Sequence, residues 1–184
     1  MSIPVVPAAE TLGDLKPIAT VVFSLGSNEG DSIEYLQAAV NALATTPDVI
    51  PVGLSSVYLT KPVGAVIDQP DFRNIVFVAE TTLEPSILLD RCHAIEAGLG
   101  RVRTVVGGPR TMDVDLIMVG NRTVQSDELT LPHPRAHERA FVLIPWLEAD
   151  PQAELPGHGF VADLIVALGT DGVELSEDEQ VVLP

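Results

Sequence analysis

A chain of 184 residues with 46% apolar and 20% charged residues has the size and make-up of one globular domain with a full core. Its formal net charge of −16 argues against nucleic acid as a general partner, because a phosphate backbone needs a broad basic surface. No stretch approaches the ~18 consecutive apolar residues of a membrane span, and a single cysteine, Cys92, excludes an internal disulfide.

Residues 1–18 carry Pro4, Pro7 and Pro17 without an amphipathic period and read as a leader or linker; they lack the basic and apolar regions of a secretory signal. Residues 20–25 predict a first strand, closed by the turn-rich Gly26-Ser27-Asn28-Glu29-Gly30. Asp31 followed by Glu34 has the form of a capping box, opening a helix with Ile33, Leu36, Val40 and Leu43 on one face. Strands are expected over 52–59 and 74–81. Pro85 then starts a second helix bearing Leu88, Leu89, Cys92, Ile95 and Leu99, with Gly98 and Gly100 as candidate caps and Cys92 as a buried, inert thiol.

A strand over 111–119 leads through a Gly120-Asn121 turn into a short strand near Thr123-Val124. Later helices are expected over 136–149, interrupted at Pro145, and over 160–168. The order predicts an α+β, ferredoxin-like β-α-β-β-α-β three-layer sandwich with a mainly antiparallel sheet. One domain is expected over 19–169, followed by an acidic tail over 170–184 that frays into solvent; it holds five acids and no base.

The chemistry concentrates in Gly108-Pro109-Arg110-Thr111-Met112-Asp113-Val114-Asp115-Leu116. Carboxylates two residues apart in a strand leave from one face, and such a pair suits Mg²⁺, which binds one or two protein carboxylates together with substrate phosphates. Six of the ten Lys and Arg residues (Arg101, Arg103, Arg110, Arg122, Arg135, Arg139) lie between 101 and 139. A metal pair beside guanidiniums points to a nucleotide triphosphate held without a P-loop, since no G-x-x-x-x-G-K-[ST], G-x-G-x-x-G or H-E-x-x-H occurs. The bland reading of D-x-D is protection of an edge strand, with the arginines as solvated ion pairs. Upstream, Phe72 and Asn74 set an aromatic face and an amide two residues apart, and Phe141 adds a second aromatic, a set suited to a flat heterocycle.

With S-L-G-S-N, T-K-P-V-G, D-Q-P-D-F-R-N, G-R-V-R, G-P-R-T-M-D-V-D-L and L-T-L-P-H in order over residues 20–160, the chain resembles the 6-hydroxymethyl-7,8-dihydropterin pyrophosphokinase family of folate biosynthesis. The resemblance implies transfer of the β,γ-pyrophosphoryl group of ATP to the pterin hydroxymethyl oxygen, with release of AMP. It assigns two Mg²⁺ ions to Asp113 and Asp115, and catalysis to these with Arg103 and Arg110. It assigns ATP to His93, Glu96, Arg101, Arg103, Arg110, Leu116, Leu129, Thr130, His133 and Arg139. The pterin falls to Gly26, Ser27, Asn28, Thr60, Lys61, Pro62, Val63, Phe72, Asn74 and Phe141. A cytoplasmic monomer is expected, with ATP and the pterin as partners and neither nucleic acid nor membrane. Three positions depart from the family's pattern: residues 104–108 are short and lack the usual Arg-Trp pair, His93 replaces a common Gln, and Pro134 replaces a common aromatic. A less effective lid over ATP is the expected consequence. Other metal-dependent nucleotidyl or phosphoryl transferases and a ferredoxin-like anion-binding module are the alternatives.

Overall fold

The computed structural model describes residues 16–62, 68–102 and 108–184. Elements run in the order β1 (Ala19–Ser27), α1 (Ser32–Ala44), β2 (Val49–Leu54), β3 (Tyr58–Thr60), β4 (Phe72–Thr81), α2 (Pro85–Gly98) and β5 (Asp113–Val119). There follow β6 (Val124–Gln125), β7 (Thr130–Leu131), a 3₁₀ turn (Ala136–Glu138), α3 (Ala140–Ala149), β8 (Glu154–Leu155), β9 (Gly159–Phe160), α4 (Val161–Leu168) and β10 (Val173–Leu175). Among the described residues no helix is long and apolar enough to cross a membrane.

The sheet has six antiparallel strands among the described residues, in the order β10-β3-β4-β1-β5, with β2 also on β4. The interior strands β1 and β4 are apolar on both faces, as strands covered on both sides must be. Odd-numbered Val21, Phe23, Leu25, Ile75 and Phe77 meet Leu36, Leu43, Leu88 and Ile95 of α1 and α2. Even-numbered Val22, Val76 and Val78 meet Val142, Leu143 and Trp146 of α3. The three-layer α+β arrangement is the expected one.

Local signals explain the helices. The Asp31 carboxylate accepts from the Glu34 N–H at 3.0 Å and caps α1, whose buried stripe of Leu36, Val40 and Leu43 matches the predicted face. Pro85 occupies the first turn of α2, and Gly100, at φ +76°, takes the left-handed position just past its end. Cys92 is fully buried, and burial pushes its thiol well above the ordinary range, so the inert reading holds.

The short strand expected after the Gly120-Asn121 turn is present as β6 and pairs with β7 in a separate ribbon. Three local expectations are corrected. The strand expected over 52–59 is two strands, β2 and β3, because Ser55 interrupts the ladder: its hydroxyl accepts from the Val76 N–H at 2.9 Å. Helix α3 runs through Pro145; the interruption lies earlier, at Arg139, which is extended at φ −114° and ψ 95°. The acidic tail does not fray. Its β10 pairs with β3, Gln37 bonds both backbone groups of Val182, Glu179 pairs with Arg73 at 2.7 Å, and Val181 is 8% exposed.

Candidate active site

Strand β5 places Asp113 opposite Gly26 and Asp115 opposite Ser24 of β1. The pairing then shifts by one residue between Val22 and Phe23, so Ile117 is bulged and both Asp115 and Met118 share the face of Val22. A bulge of this kind re-aims side chains, and here it lets one strand serve two ends: aspartates at its start and core residues Ile117 and Met118 beyond. Small partners on β1 leave the carboxylates uncovered. The floor is Gly26, where an added Cβ would sit 2.6 Å from Asn74 Oδ1.

Among the described residues three guanidiniums reach the pair. Arg101, just beyond α2, bonds Asp113 Oδ1 at 2.5 Å; Arg110 bonds Asp113 Oδ2 at 2.9 Å; Arg139, at the head of α3, bonds Asp115 Oδ2 at 3.1 Å. Two of them lie on aromatic rings: Arg110 over Phe72 at 5.0 Å and Arg139 over Phe141 at 5.6 Å. Each aspartate is thus linked through an arginine to one predicted ring residue. The carboxyl of Asp115 is raised above the usual range by burial and then by Asp113, against the opposing pull of His133, Arg139 and Arg110.

A cleft of about 580 Å³ opens beside the pair and is lined by His93, Glu96, Arg101, Arg110, Asp113, Asp115, Leu116, Leu129, Thr130 and His133. The residues expected on the nucleotide side therefore come together, apart from Arg103, which lies outside the described residues, and Arg139, which adjoins through Asp115 and His133. Glu96 is 5% exposed and turned inward: it accepts from the Val114 N–H at 2.9 Å and pairs with Arg101, so it holds β5 and that guanidinium in place. His133 Nδ1 accepts from the Arg135 N–H at 3.1 Å, and its Nε2 lies 3.4 Å from the Arg139 guanidinium. Burial lowers the imidazole's proton affinity and favours the neutral ring, although Asp115 pulls the other way. His93 is exposed on α2. The cleft also takes in Leu89, expected only as an apolar residue of the second helix, and Ser126, Asp127 and Glu128, which the sequence reading passed over because a polar stretch between strands carries no periodic signal.

The pterin-side candidates lie along the same sheet face. Asn74 stands opposite Gly26 on one side and Tyr58 on the other, and its amide donates to Thr60 Oγ1 at 2.6 Å. Ser27 is buried against Ser32, and Asn28 bonds the backbone of Arg110. Lys61 is exposed, its N–H directed to Gly172 at 3.4 Å, with the half-buried Pro62 next to it. Val63 and the residues of the shortened lid at 104–107 lie outside the described residues.

The family model described as 7,8-dihydro-6-hydroxymethylpterin-pyrophosphokinase matches residues 22–151. The chain belongs to this family. Proteins named 2-amino-4-hydroxy-6-hydroxymethyldihydropteridine pyrophosphokinase are similar to it. That of Haemophilus influenzae is 39% identical over 146 residues, covering 79% of this chain and 91% of its own length. That of Pseudomonas aeruginosa is 38% identical, covering 85% and 96%, and that of Bacillus subtilis 42% identical, covering 71% and 78%. A Plasmodium falciparum HPPK-DHPS structure with pterin and p-hydroxybenzoate shares the fold at a TM-score of 0.65 and 14% identity; the match covers 85% of this chain and 45% of that one. The pyrophosphokinase family match stops short of β10 and the segment after it, so the strand that closes one sheet edge lies beyond the matched region.

Proposed function

We propose that this pyrophosphokinase-family chain transfers the β,γ-pyrophosphoryl group of ATP to the hydroxymethyl oxygen of 6-hydroxymethyl-7,8-dihydropterin, a step of folate biosynthesis. The oxygen forms a bond to the β-phosphorus, the bond from that phosphorus to the oxygen carried by the α-phosphate breaks, and the hydroxyl proton is lost. AMP leaves and the pterin diphosphate remains. One observation carries the reading: Asp113 and Asp115 stand between three guanidiniums on a sheet row that continues through Gly26 to the Asn74 amide.

The donor set fits Mg²⁺. Asp113 and Asp115 leave one face of β5, and Mg²⁺ takes one or two protein carboxylates and fills its other positions with phosphate oxygens and water. The strain on Asp115 from burial and Asp113 is the kind a divalent cation offsets. Asp113 and Asp115 would hold two such ions, whose contribution when bound is to neutralise charge on the attacking and leaving oxygens.

The rest falls to this chain's own groups. Arg101, Arg110 and Arg139 are within reach of the same point and would orient the phosphates; the Arg110 Nε, buried and without a partner among the described residues, leaves a donor for one of their oxygens. Asn74 would read the pterin edge, and Phe72 and Phe141 would cover its faces, excluding water from the transfer. ATP as substrate and a buried free cysteine favour a cytoplasmic location.

The test is a mass spectrum of the reaction of ATP with the hydroxymethyl-dihydropterin. Equal amounts of AMP and pterin diphosphate are expected, with Asp113→Ala slower on the order of 10³-fold. Formation of ADP, or AMP without a modified pterin, contradicts the reading.

A further inference from the structure

Tyr58 extends the functional row by one strand. Asp113 stands opposite Gly26, Gly26 opposite Asn74 and Asn74 opposite Tyr58, so the four positions share the sheet face that α3 covers. Helix α3 meets this row at both ends. Its first turn carries Phe141, beside Arg139 on Asp115, and its last turn carries Glu148. The Glu148 carboxylate takes a bond from the Tyr58 hydroxyl. It also accepts from the Ser56 hydroxyl at 2.6 Å and, through both oxygens, from the Ser56 N–H at 3.2 Å. Burial first, and Glu148 second, push the Tyr58 hydroxyl up to about 12, so it remains a donor at neutral pH. All three groups donate, a set that a carboxylate matches and a carboxamide does not. The same end of α3 sits hard on the sheet: a side chain at Gly53 of β2 would collide with the Ala149 carbonyl. Two residues past Tyr58, Thr60 Oγ1 accepts from the Asn74 amide at 2.6 Å, so the strand that Glu148 holds is the one that orients Asn74.

We propose that Glu148 is a positioning residue for the pterin: it fixes the slot between Phe141 and the Phe72–Asn74 edge without touching substrate. This rests on the pyrophosphokinase reading above. Phe141 rides on α3, whereas Phe72 and Asn74 ride on β4, and Glu148 ties that helix to the β2–β3 corner beside β4. The width of the slot therefore depends on this joint. The aspartate end has supports of its own, since Glu96 holds β5 and Arg101, and Asp115 holds Arg139. Loss of Glu148 is accordingly felt by the pterin and little by the nucleotide. Glu148 and Ser56 are exposed, so their bonds compete with water and the effect is several-fold rather than hundredfold.

The experiment measures, on the full chain, dissociation constants for 6-hydroxymethyl-7,8-dihydropterin and for a non-hydrolysable ATP analogue with Mg²⁺, together with KM and kcat. Glu148→Gln keeps the length but turns an NH2 toward one of the three donors. Its pterin dissociation constant and KM should rise about fivefold, with kcat at saturating pterin and the analogue's constant each within about twofold of the parent. Tyr58→Phe removes one hydroxyl and should weaken pterin binding about two- to threefold; it decides the matter if the Gln variant does not fold. Because both changes act on one joint, the double variant should be about as weak as Glu148→Gln alone. Folded variants that bind the pterin as the parent does, or that lose both ligands by one factor as a merely structural role would require, overturn this inference alone. A parent that binds neither ligand overturns the functional reading and the inference with it.

Discussion

Asp115 occupies a place that disfavours its own charge. Burial first, and Asp113 second, raise its carboxyl above the ordinary range, while His133, Arg139 and Arg110 only partly compensate. An acid with a raised folded-state value binds its proton more tightly when folded. Stability therefore falls as pH climbs from the ordinary carboxylate range through the raised value, and the penalty stays in full above it. Asp115→Asn, which removes the charge and keeps an oxygen for Arg139, should accordingly melt at a higher temperature than the parent at neutral pH. Its advantage should shrink as pH falls toward about 3, below the ordinary aspartate value, where the parent's group is neutral in both states. Thermal melts of both proteins across that range check this; a variant less stable at neutral pH contradicts it. At Gly26 the constraint is steric. Gly26→Ala sets a Cβ 2.6 Å from Asn74 Oδ1, and the amide must move. The expected cost is about 1–3 kcal/mol in denaturant unfolding, together with weaker pterin binding in a titration. The aspartate pair was legible from its period of two within a β-prone run. The bulge at Ile117 was not, because a bulge depends on a cross-strand register that no local residue announces.

Among the elements, those with local punctuation were read correctly: Asp31 and Glu34 at α1, Pro85 and Gly100 at α2. Those settled by distant contacts were misread. Residues 52–59 alternate well enough for one strand, yet Ser55 hands its hydroxyl to β4 and splits it. Arg139 breaks the predicted helix because its backbone is extended there, with its side chain on Asp115. The acidic tail looked solvated since composition alone says nothing of a strand edge waiting at β3. Its stability contribution can be measured. Truncation after Gly169 removes β10, the Glu179–Arg73 pair and the burial of Val181, and should cost at least about 1.5 kcal/mol from that one side chain. Arg73 lies between Phe72 and Asn74, so pterin affinity should fall as well. Unfolding and binding indistinguishable from the full chain would return the segment to the status of a loose tail.

Over the whole molecule, a chain of net charge −16 gathers three of its eight guanidiniums at one end of one strand. The fold serves that concentration. The ladder β4-β1-β5 sets Asn74, Gly26 and Asp113 in a row, α2 brings Arg101 through Glu96, and α3 brings Arg139 from the opposite layer. The aspartate pair and its arginines were legible from their chemistry, whereas Leu116, Leu129 and Thr130 of the same cleft were named only through the resemblance, because no chemical signal marks them. The bond from Asn28 to the Arg110 backbone was not legible either, because asparagine in a turn is ordinary and only its partners make it informative. The account's central claim is that the paired aspartates hold metal and the arginines hold phosphate beside a covered heterocycle. A crystal structure with Mn²⁺ in place of Mg²⁺, a non-hydrolysable ATP analogue and the pterin tests it most directly. The account predicts anomalous density between Asp113 and Asp115, Arg101, Arg110 and Arg139 on phosphate oxygens, and the pterin between Phe72 and Phe141 with its edge on Asn74. Metal density elsewhere, with both aspartates still paired only to arginine, would contradict it.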